Sequence, residues 1–180
     1  MKSIRYLKFE KDYICDTCQL GKQTKSSFKP IKDIMTSRPL ELIHMDLFGL
    51  AKTKSLNGNR YVLVLVDDFS RFTWIFFLEH KDQTFLLFNI FQKRVEKEKE
   101  FSILRIRSDR GGEFVNQLFM TYCDENGIKH EKSCLRTPQQ NGVVERKNRT
   151  LQEMSRTMIS EYGLPQYLWA EAVNLSLIHI

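Results

Sequence analysis

The run Tyr61–Val66 (YVLVLV) constrains this chain more than any other stretch, because it offers water no face. Successive side chains of a strand point to opposite sides, so a strand with no polar position must be covered on both. Such a strand belongs in the middle of a sheet, and covering both sides of a sheet takes helices. The neighbouring patterns supply the rest. Leu40–Leu47 reads as a first strand, Asn57-Gly58-Asn59 as a turn, and Arg71–Leu78 (RFTWIFFL) as a third strand that returns antiparallel after Asp67-Asp68. From Lys81 the period changes: Phe85, Phe88, Phe91 and Val95 recur at helical spacing, and the tail KRVEKEKE is a solvated helix end. This spacing marks those phenylalanines as core rather than as base-stacking platforms.

Phe101–Arg107 reads as a fourth strand, and a helix follows with Phe114, Leu118 and Tyr122 on one face and Asn126-Gly127 as its stop. Ile128–Lys132 is a short fifth strand. A polar loop, Ser133 to Asn141, leads to a long helix from about Gly142 to Ser160. Three strands, a helix, then strand–helix–strand–helix predicts an α/β domain: a mixed five-stranded sheet flanked by helices. Residues 1–39 differ in kind. They are basic, contain Cys15-x-x-Cys18, and end in a stretch rich in Ser, Thr, Lys and Pro, Gln23 to Pro39, that reads as an extended linker.

No apolar run approaches the roughly 20 residues of a membrane-spanning helix, and no membrane partner is expected. The first residues, MKSIRYLKFEKDY, have no apolar core of a secretory signal. A net charge of +6 favours a polyanionic partner. The four cysteines, Cys15, Cys18, Cys123 and Cys134, are too few and unevenly spaced for a disulfide scaffold. Reduced thiols of the cytosol or nucleus are expected, with Cys123 and Cys134 chemically inert.

The chemistry lies in three acids. Asp46 sits among apolar residues of the first strand (LIHMDLFG), where a carboxylate is costly unless used or paired. Asp109 falls just past the fourth strand, before Gly111-Gly112, which lets the backbone turn sharply. Glu145 falls in the first turn of the long helix. If the first and fourth strands are neighbours, Asp46 and Asp109 meet, and the helix brings Glu145 from the side. Three clustered carboxylates repel one another unless cations sit between them, and hard oxygen ligands suit Mg²⁺ or Mn²⁺. Two such ions, about 4 Å apart, activate a hydroxyl and stabilise the leaving oxygen in an in-line displacement at phosphorus. On the helix, Glu145, Arg149, Gln152 and Arg156 share one polar face, opposite a stripe of Val144, Leu151, Met154 and Met158. Alone, that face is an ordinary i,i+4 pair; with the other acids it suits a metal-bound phosphodiester.

Other residues read more simply. Asp67-Asp68 is a structural turn, Glu113 a helix-start acid, and His44 a hydrogen-bonded packing histidine.

Five segments, CDTCQLGKQTKSSF, RPLELIHMDLFG, YVLVLVDDFSRFTWIFFL, RSDRGGEF and TPQQNGVVERKNRTLQEM, together resemble a Ty1/copia-type LTR retrotransposon integrase, in family order from about residue 13 to 173. The 35 residues between Asp109 and Glu145 are the spacing of retroviral-type integrases. The resemblance implies a ribonuclease-H-like fold, two Mg²⁺ (or Mn²⁺) ions held by Asp46, Asp109 and Glu145, and the joining of element DNA ends to a target duplex. It further implies release from a Gag–Pol-type polyprotein, homo-oligomers, and a nuclear site of action with a cytoplasmic particle stage. DNA contacts are expected at Gln139, Gln140 and Asn141 in the loop, and at Arg146, Lys147, Arg149 and Arg156 on the helix. Cys15 and Cys18 resemble half of the family's His-His-Cys-Cys zinc module, but no histidine precedes Cys15, and two thiolates leave a tetrahedral zinc half-ligated. Zinc is therefore expected only in a longer parent chain. The expected organisation is a truncated remnant of that module plus linker at 1–39, and a catalytic core at 40–180 whose last residues, LSLIHI, depart from the family pattern. The alternative function is a catalytically silent remnant that binds nucleic acid or protein.

Overall fold

The computed structural model describes residues 36–49, 52–133 and 141–178. Cys15, Cys18, Cys134, Gln139, Gln140 and most of residues 1–39 lie outside them. Five strands form one sheet: β1 (Leu42–Gly49), β2 (Tyr61–Asp67), β3 (Thr73–Leu78), β4 (Arg105–Ser108) and β5 (Lys129–Lys132), in the order β3-β2-β1-β4-β5. β1 pairs antiparallel with β2 and parallel with β4, so the sheet is mixed as expected. Four α-helices among the described residues accompany it: α1 (Thr84–Lys99), α2 (Gln117–Glu125), α3 (Gly142–Glu161) and α4 (Trp169–Ile178). None of the described helices is long and apolar enough to cross a membrane.

The apolar run of β2 finds cover on both sides. Leu63 and Leu65 pack with Ile43 and Met45 of β1 and with Phe88, Phe91 and Phe119 from α1 and α2. Val62, Val64 and Val66 pack on the other face with Val144 and Leu151 of α3 and Val173 of α4. Burying each such side chain contributes about 1.5–3 kcal/mol, so β2 anchors two cores at once. Asp46 follows Met45 and therefore points to the α3 face.

Three expectations about local structure are corrected. The fourth strand is shorter than Phe101–Arg107, because the amide of Ile103 donates to Glu96 Oε1 at 2.7 Å and holds that stretch against α1. The second helix begins at Gln117, capped by Asn116, whose side chain accepts from the amide of Phe119 at 2.9 Å. Its buried face is Phe119 and Cys123, and Leu118 is 62% exposed. Along α3 the buried line is Val144, Asn148, Leu151, Ser155 and Ile159, with Met154 and Met158 only half-buried. An apolar stripe cannot foresee buried polar side chains such as Asn148 and Ser155.

Candidate active site

Parallel pairing of β1 with β4 covers Leu42–His44 and Arg105–Arg107, and there it stops. Asp46 lies two residues beyond His44, and Asp109 two beyond Arg107, so the acids stand level where the strands part. β1 sends the chain to one side of the sheet through β2, and β4 sends it to the other through β5. Crevices at the carboxyl ends of strands that diverge in this way are where α/β sheets take ligands.

Electrostatics show that the acids are neighbours. The Asp46 carboxyl is raised to about 7, first by burial, then by the charge of Asp109 and, to a lesser extent, that of Glu145. The amide of Leu47 and the side chain of Asn148 partly offset this. Asn148 Nδ2 donates to Asp46 Oδ2 at 2.7 Å, and the Asn148 Oδ1 beside it is buried with no partner. Among the described residues, no three Asp, Glu, His or Cys side chains are gathered tightly enough to ligate one ion as they stand.

Asp109 is held through its own loop. Its Oδ1 accepts from the Gly111 amide at 2.9 Å. Gly111 does not have a left-handed backbone; it makes room, since a Cβ there would sit 2.7 Å from the Glu113 carboxylate. Glu113 precedes α2 rather than starting it, and pairs with Lys81 at 3.1 Å. Behind Asp109, the Ser108 hydroxyl donates to the Asp109 carbonyl at 2.8 Å and lies 2.9 Å from His130 Nε2. Burial, with a smaller effect of Lys132, lowers His130 to about 4, so the ring is neutral near pH 7. Ser108 has a single proton, already donated. His130 Nε2–H is therefore the donor to Ser108 Oγ, and its Nδ1 is left buried without a partner.

The remaining candidates separate by exposure. Glu145, Arg146, Arg149 and Arg156 are exposed on α3, Gln152 is half-buried, and Arg146 folds its guanidinium over Gly142. Lys147 is half-buried, and burial lowers its ammonium below the usual lysine range. Asn141 faces inward, 2% exposed, with Nδ2 donating to the Met45 carbonyl at 3.4 Å. That burial takes it away from the exposed face of α3.

Asp67 and Asp68 are structural, as expected. Asp67 accepts from the amides of Leu40 and Ser70. Asp68 accepts from Thr36 Oγ1 at 2.9 Å and meets His44 Nε2 at 2.9 Å and Arg71 at 3.1 Å. The hydrogen bond with His44 is the main reason its carboxyl falls to about 2. This network pins residues 36–40 onto the sheet. Cys123 is buried, which pushes its thiol up to about 11 and leaves it inert.

Sequence reasoning missed Asn148 and the Ser108–His130 pair. Asn148 was within reach, because it lies one helical turn past Glu145 on a face an acid already occupies. Nothing in the sequence singled out Ser108 and His130, 22 residues apart.

Comparisons with known proteins agree with this geometry. A family model for the integrase core domain matches residues 36–138. A retrovirus-related Pol polyprotein from the Nicotiana tabacum transposon TNT 1-94 is 41% identical over 160 residues, 89% of this chain and 12% of that protein. The corresponding polyprotein of Arabidopsis thaliana transposon RE2 is 35% identical and covers 91% of this chain and 11% of its own length. The Gag-Pol polyprotein of Saccharomyces cerevisiae transposon Ty1-DR6 is 30% identical, covering 93% and 10%. This chain thus spans about an eighth or less of the relatives' length. Among solved structures, a simian T-cell lymphotropic virus intasome bound to the PP2A regulatory subunit B56 gamma aligns with a TM-score of 0.61 at 18% identity, covering 91% of this chain and 55% of that one. The HTLV-2 integrase catalytic core domain in complex with magnesium aligns with a TM-score of 0.53 at 20% identity, covering 77% and 83%. The fold is ribonuclease-H-like, that of retroviral integrase cores, and the chain belongs to the integrase core domain family.

Proposed function

We propose that Asp46, Asp109 and Glu145 are the catalytic carboxylates of a polynucleotidyl transferase that joins the ends of an element's DNA to a target duplex. The observation that carries this reading is the Asp46 carboxyl, raised to about 7 by burial and by the like charges of Asp109 and Glu145. A fold does not keep three repelling acids together for stability; perturbed carboxylates in a crevice mark function. The donor set would suit Mg²⁺ or Mn²⁺, since it consists of hard oxygens, and the Asn148 Oδ1 beside it is a buried acceptor with no partner of its own. When bound, one or two such ions activate the attacking hydroxyl and neutralise charge on the phosphate and leaving oxygen. Magnesium in the HTLV-2 neighbour supports this choice.

The chain's own residues have distinct tasks in this reading. Asp46 and Asp109 present oxygens from adjacent strand ends, and Glu145 approaches from the first turn of α3. Asn148 fixes the Asp46 rotamer, and His130 through Ser108 fixes the backbone of Asp109. Arg146 and Arg149, exposed on α3, meet phosphates, with Lys147 in support; Gln139 and Gln140, outside the described residues, are further DNA contacts in this reading. Duplex DNA and further copies of the chain are the partners, and the nucleus is the place of action.

A strand-joining assay with a labelled element-end oligonucleotide and a target duplex tests the reading. Joining is expected with Mg²⁺ or Mn²⁺, to be abolished by chelation, and to be lost in Glu145→Gln. Retention of joining by that variant would remove Glu145 from the site. Metal-independent DNA binding with no joining by the unmodified chain would favour the silent alternative.

A second prediction concerns Asn148. Its hydrogen bond lowers the Asp46 pKa, so Asn148→Ala should raise that pKa further and weaken Mn²⁺ binding about 10–100-fold, the usual effect of losing a group that orients a ligand. Raising the pH from 7 to 8.5 should recover most of the loss, because deprotonation restores the ligand. Calorimetric Mn²⁺ titration at the two pH values measures this. A loss unaffected by pH would mean that Asn148 acts on something other than Asp46.

A further inference from the structure

The two edges of the sheet differ in kind. β5 is short and charged (KHEK), the usual protection of an edge against pairing with another chain. β3, at the other edge, is longer, apolar and without a charge (TWIFFL). An edge of that kind is a template for a further strand.

Hydrogen bonds show which of its backbone groups are open. The Asp67 amide donates to the Phe72 carbonyl at 3.0 Å, and the register continues through Leu65↔Trp74 and Leu63↔Phe76. Phe72, Trp74 and Phe76 therefore direct their backbone groups to β2. The Asp68 amide, donating to Leu42 at 2.9 Å, agrees with this, because it turns the alternate residues of β2 toward β1. Alternation leaves the N–H and C=O of Thr73, Ile75 and Phe77 pointing out of the sheet. Among the described residues, no strand lies beyond them.

An apolar surface borders this edge. Trp74 and Phe76 meet Phe91 of α1, with ring centroids 5.0 and 6.0 Å apart. Phe72, stacked on Trp74 at 4.8 Å, is nevertheless 59% exposed, and Ile90 on α1 is 53% exposed. On the opposite face Ile75 and Phe77 are half-buried.

The sequence of the edge selects its occupant. Two copies set antiparallel about Ile75 bring Arg71 against Glu79, Phe72 against Leu78 and Trp74 against Phe76. In that register Ile75 faces itself and Thr73 faces Phe77, so the outward backbone groups satisfy one another. Arg71 engages Asp68 of its own chain through Nη1, and Glu79 engages Lys54 through Oε1. Their side chains are 45% and 42% exposed, within reach of a neighbour. An unrelated extended peptide could use the backbone groups but would not meet both end charges.

We propose that β3 is a dimerisation edge, pairing antiparallel with β3 of a second copy about Ile75 so that one sheet runs through both. The charged β5 edges stop further growth, and the assembly closes with two-fold symmetry. Six residues of strand make a strip only about 20 Å long, so the dimer should exchange with monomer at micromolar concentration. The proposal is independent of the carboxylate reading, because β2 separates β3 from β1.

Amide exchange of the full chain, followed by NMR at low and high micromolar concentration, reads the pairing directly. The amides of Thr73, Ile75 and Phe77 should exchange freely when dilute and slow at least tenfold as dimer forms. Those of Trp74 and Phe76, bonded to β2, should stay protected throughout. Arg71→Glu and Glu79→Arg each set like charges together at both ends of the pair, and each should weaken dimerisation about tenfold in sedimentation. Mixed in equal amounts, the two variants should recover it, because every end then joins unlike charges. Mixing repairs no contact within either chain, so the recovery belongs to the contact between copies. The exchange pattern needs no substitution and decides the question even if a variant fails to fold. A monomer at every concentration would overturn the proposal, as would a dimer whose three outward amides still exchange freely. Slow exchange of those amides at every dilution, or mixed variants that stay apart, would overturn it too. Joining by a chain that remains monomeric would remove the dimer and keep the carboxylate reading. A dimer with this exchange pattern that never joins DNA would do the opposite.

Discussion

Asp109→Asn is expected to reduce metal-dependent strand joining by at least about 10²–10³-fold, the scale seen when one group that stabilises developing charge is removed. The substitution is nearly silent elsewhere. Asp109 is exposed, and an asparagine Oδ1 can still accept from the Gly111 amide that now lies 2.9 Å from the carboxylate. The loop and the Ser108–His130 support behind it keep their geometry, because they act on the backbone of residue 109. Duplex binding without metal should change little, and the melting temperature should stay near that of the parent. The charge lost is also one of those that raise Asp46, so the Asp46 pKa should fall in the variant. Observing that fall, by following the carboxyl carbon in NMR, with joining intact, would separate proximity from catalysis and end the role assigned to Asp109.

Without metal, the stability of Asp46→Asn should rise with pH over a range in which that of the parent stays nearly flat. Asp46 has a folded pKa of about 7 against a model value of 3.8, so the native state holds the extra proton and stability falls as pH rises through that window. His130 has a folded pKa of about 4 against 6.5, so the unfolded state holds the extra proton and stability rises with pH across much of the same range. At about 1.4 kcal/mol per unit, the limits are roughly 4 kcal/mol for Asp46 and 3 kcal/mol for His130, and opening to solvent reduces both. The two nearly cancel, and the parent should be almost indifferent to pH from about 4.5 to 7. Asp46→Asn removes the falling contribution and exposes the rising one. That variant should also melt several degrees higher at pH 8, at about 2–4 °C per kcal/mol for a chain of this size. Thermal melts in chelator at pH 4.5, 6 and 8 decide the matter. Identical profiles for the two proteins would mean that Asp46 is not titrating in this range. A gain in stability on losing an essential acid is the usual sign of a site strained for function.

The sheet was legible in the sequence because its signals are local. YVLVLV announces a strand buried on both faces, and each neighbouring strand carries turn residues at its ends. The acids were legible for a related reason: Asp46 interrupts an apolar strand, and a polar residue in that position has to be explained. What escaped depended on pairing across the fold. His130 became visible as a support for Asp109 only once β5 lay beside β4. Asn148 escaped because amphipathic reading counts asparagine as outward-facing, whereas here it is buried against a carboxylate. The Leu118 face failed for a similar reason, since the Asn116 cap shifts the start of α2 and rotates the buried side to Phe119 and Cys123.

The sheet order has a further consequence, for the timing of folding. β1, β2 and β3 are joined through short connections and pair with their sequence neighbours, so they can form from local encounters. β4 joins β1 only across 63 residues, as Leu42 meets Arg105, and Asn148 reaches Asp46 across 102. Contacts of such separation carry the largest loop-closure cost and are slow to form. A polypeptide still emerging from synthesis, or one cleaved between β3 and β4, therefore has a hairpin sheet with a solitary aspartate on it. The proposed carboxylate site is therefore not assembled until the last segments of the fold have closed.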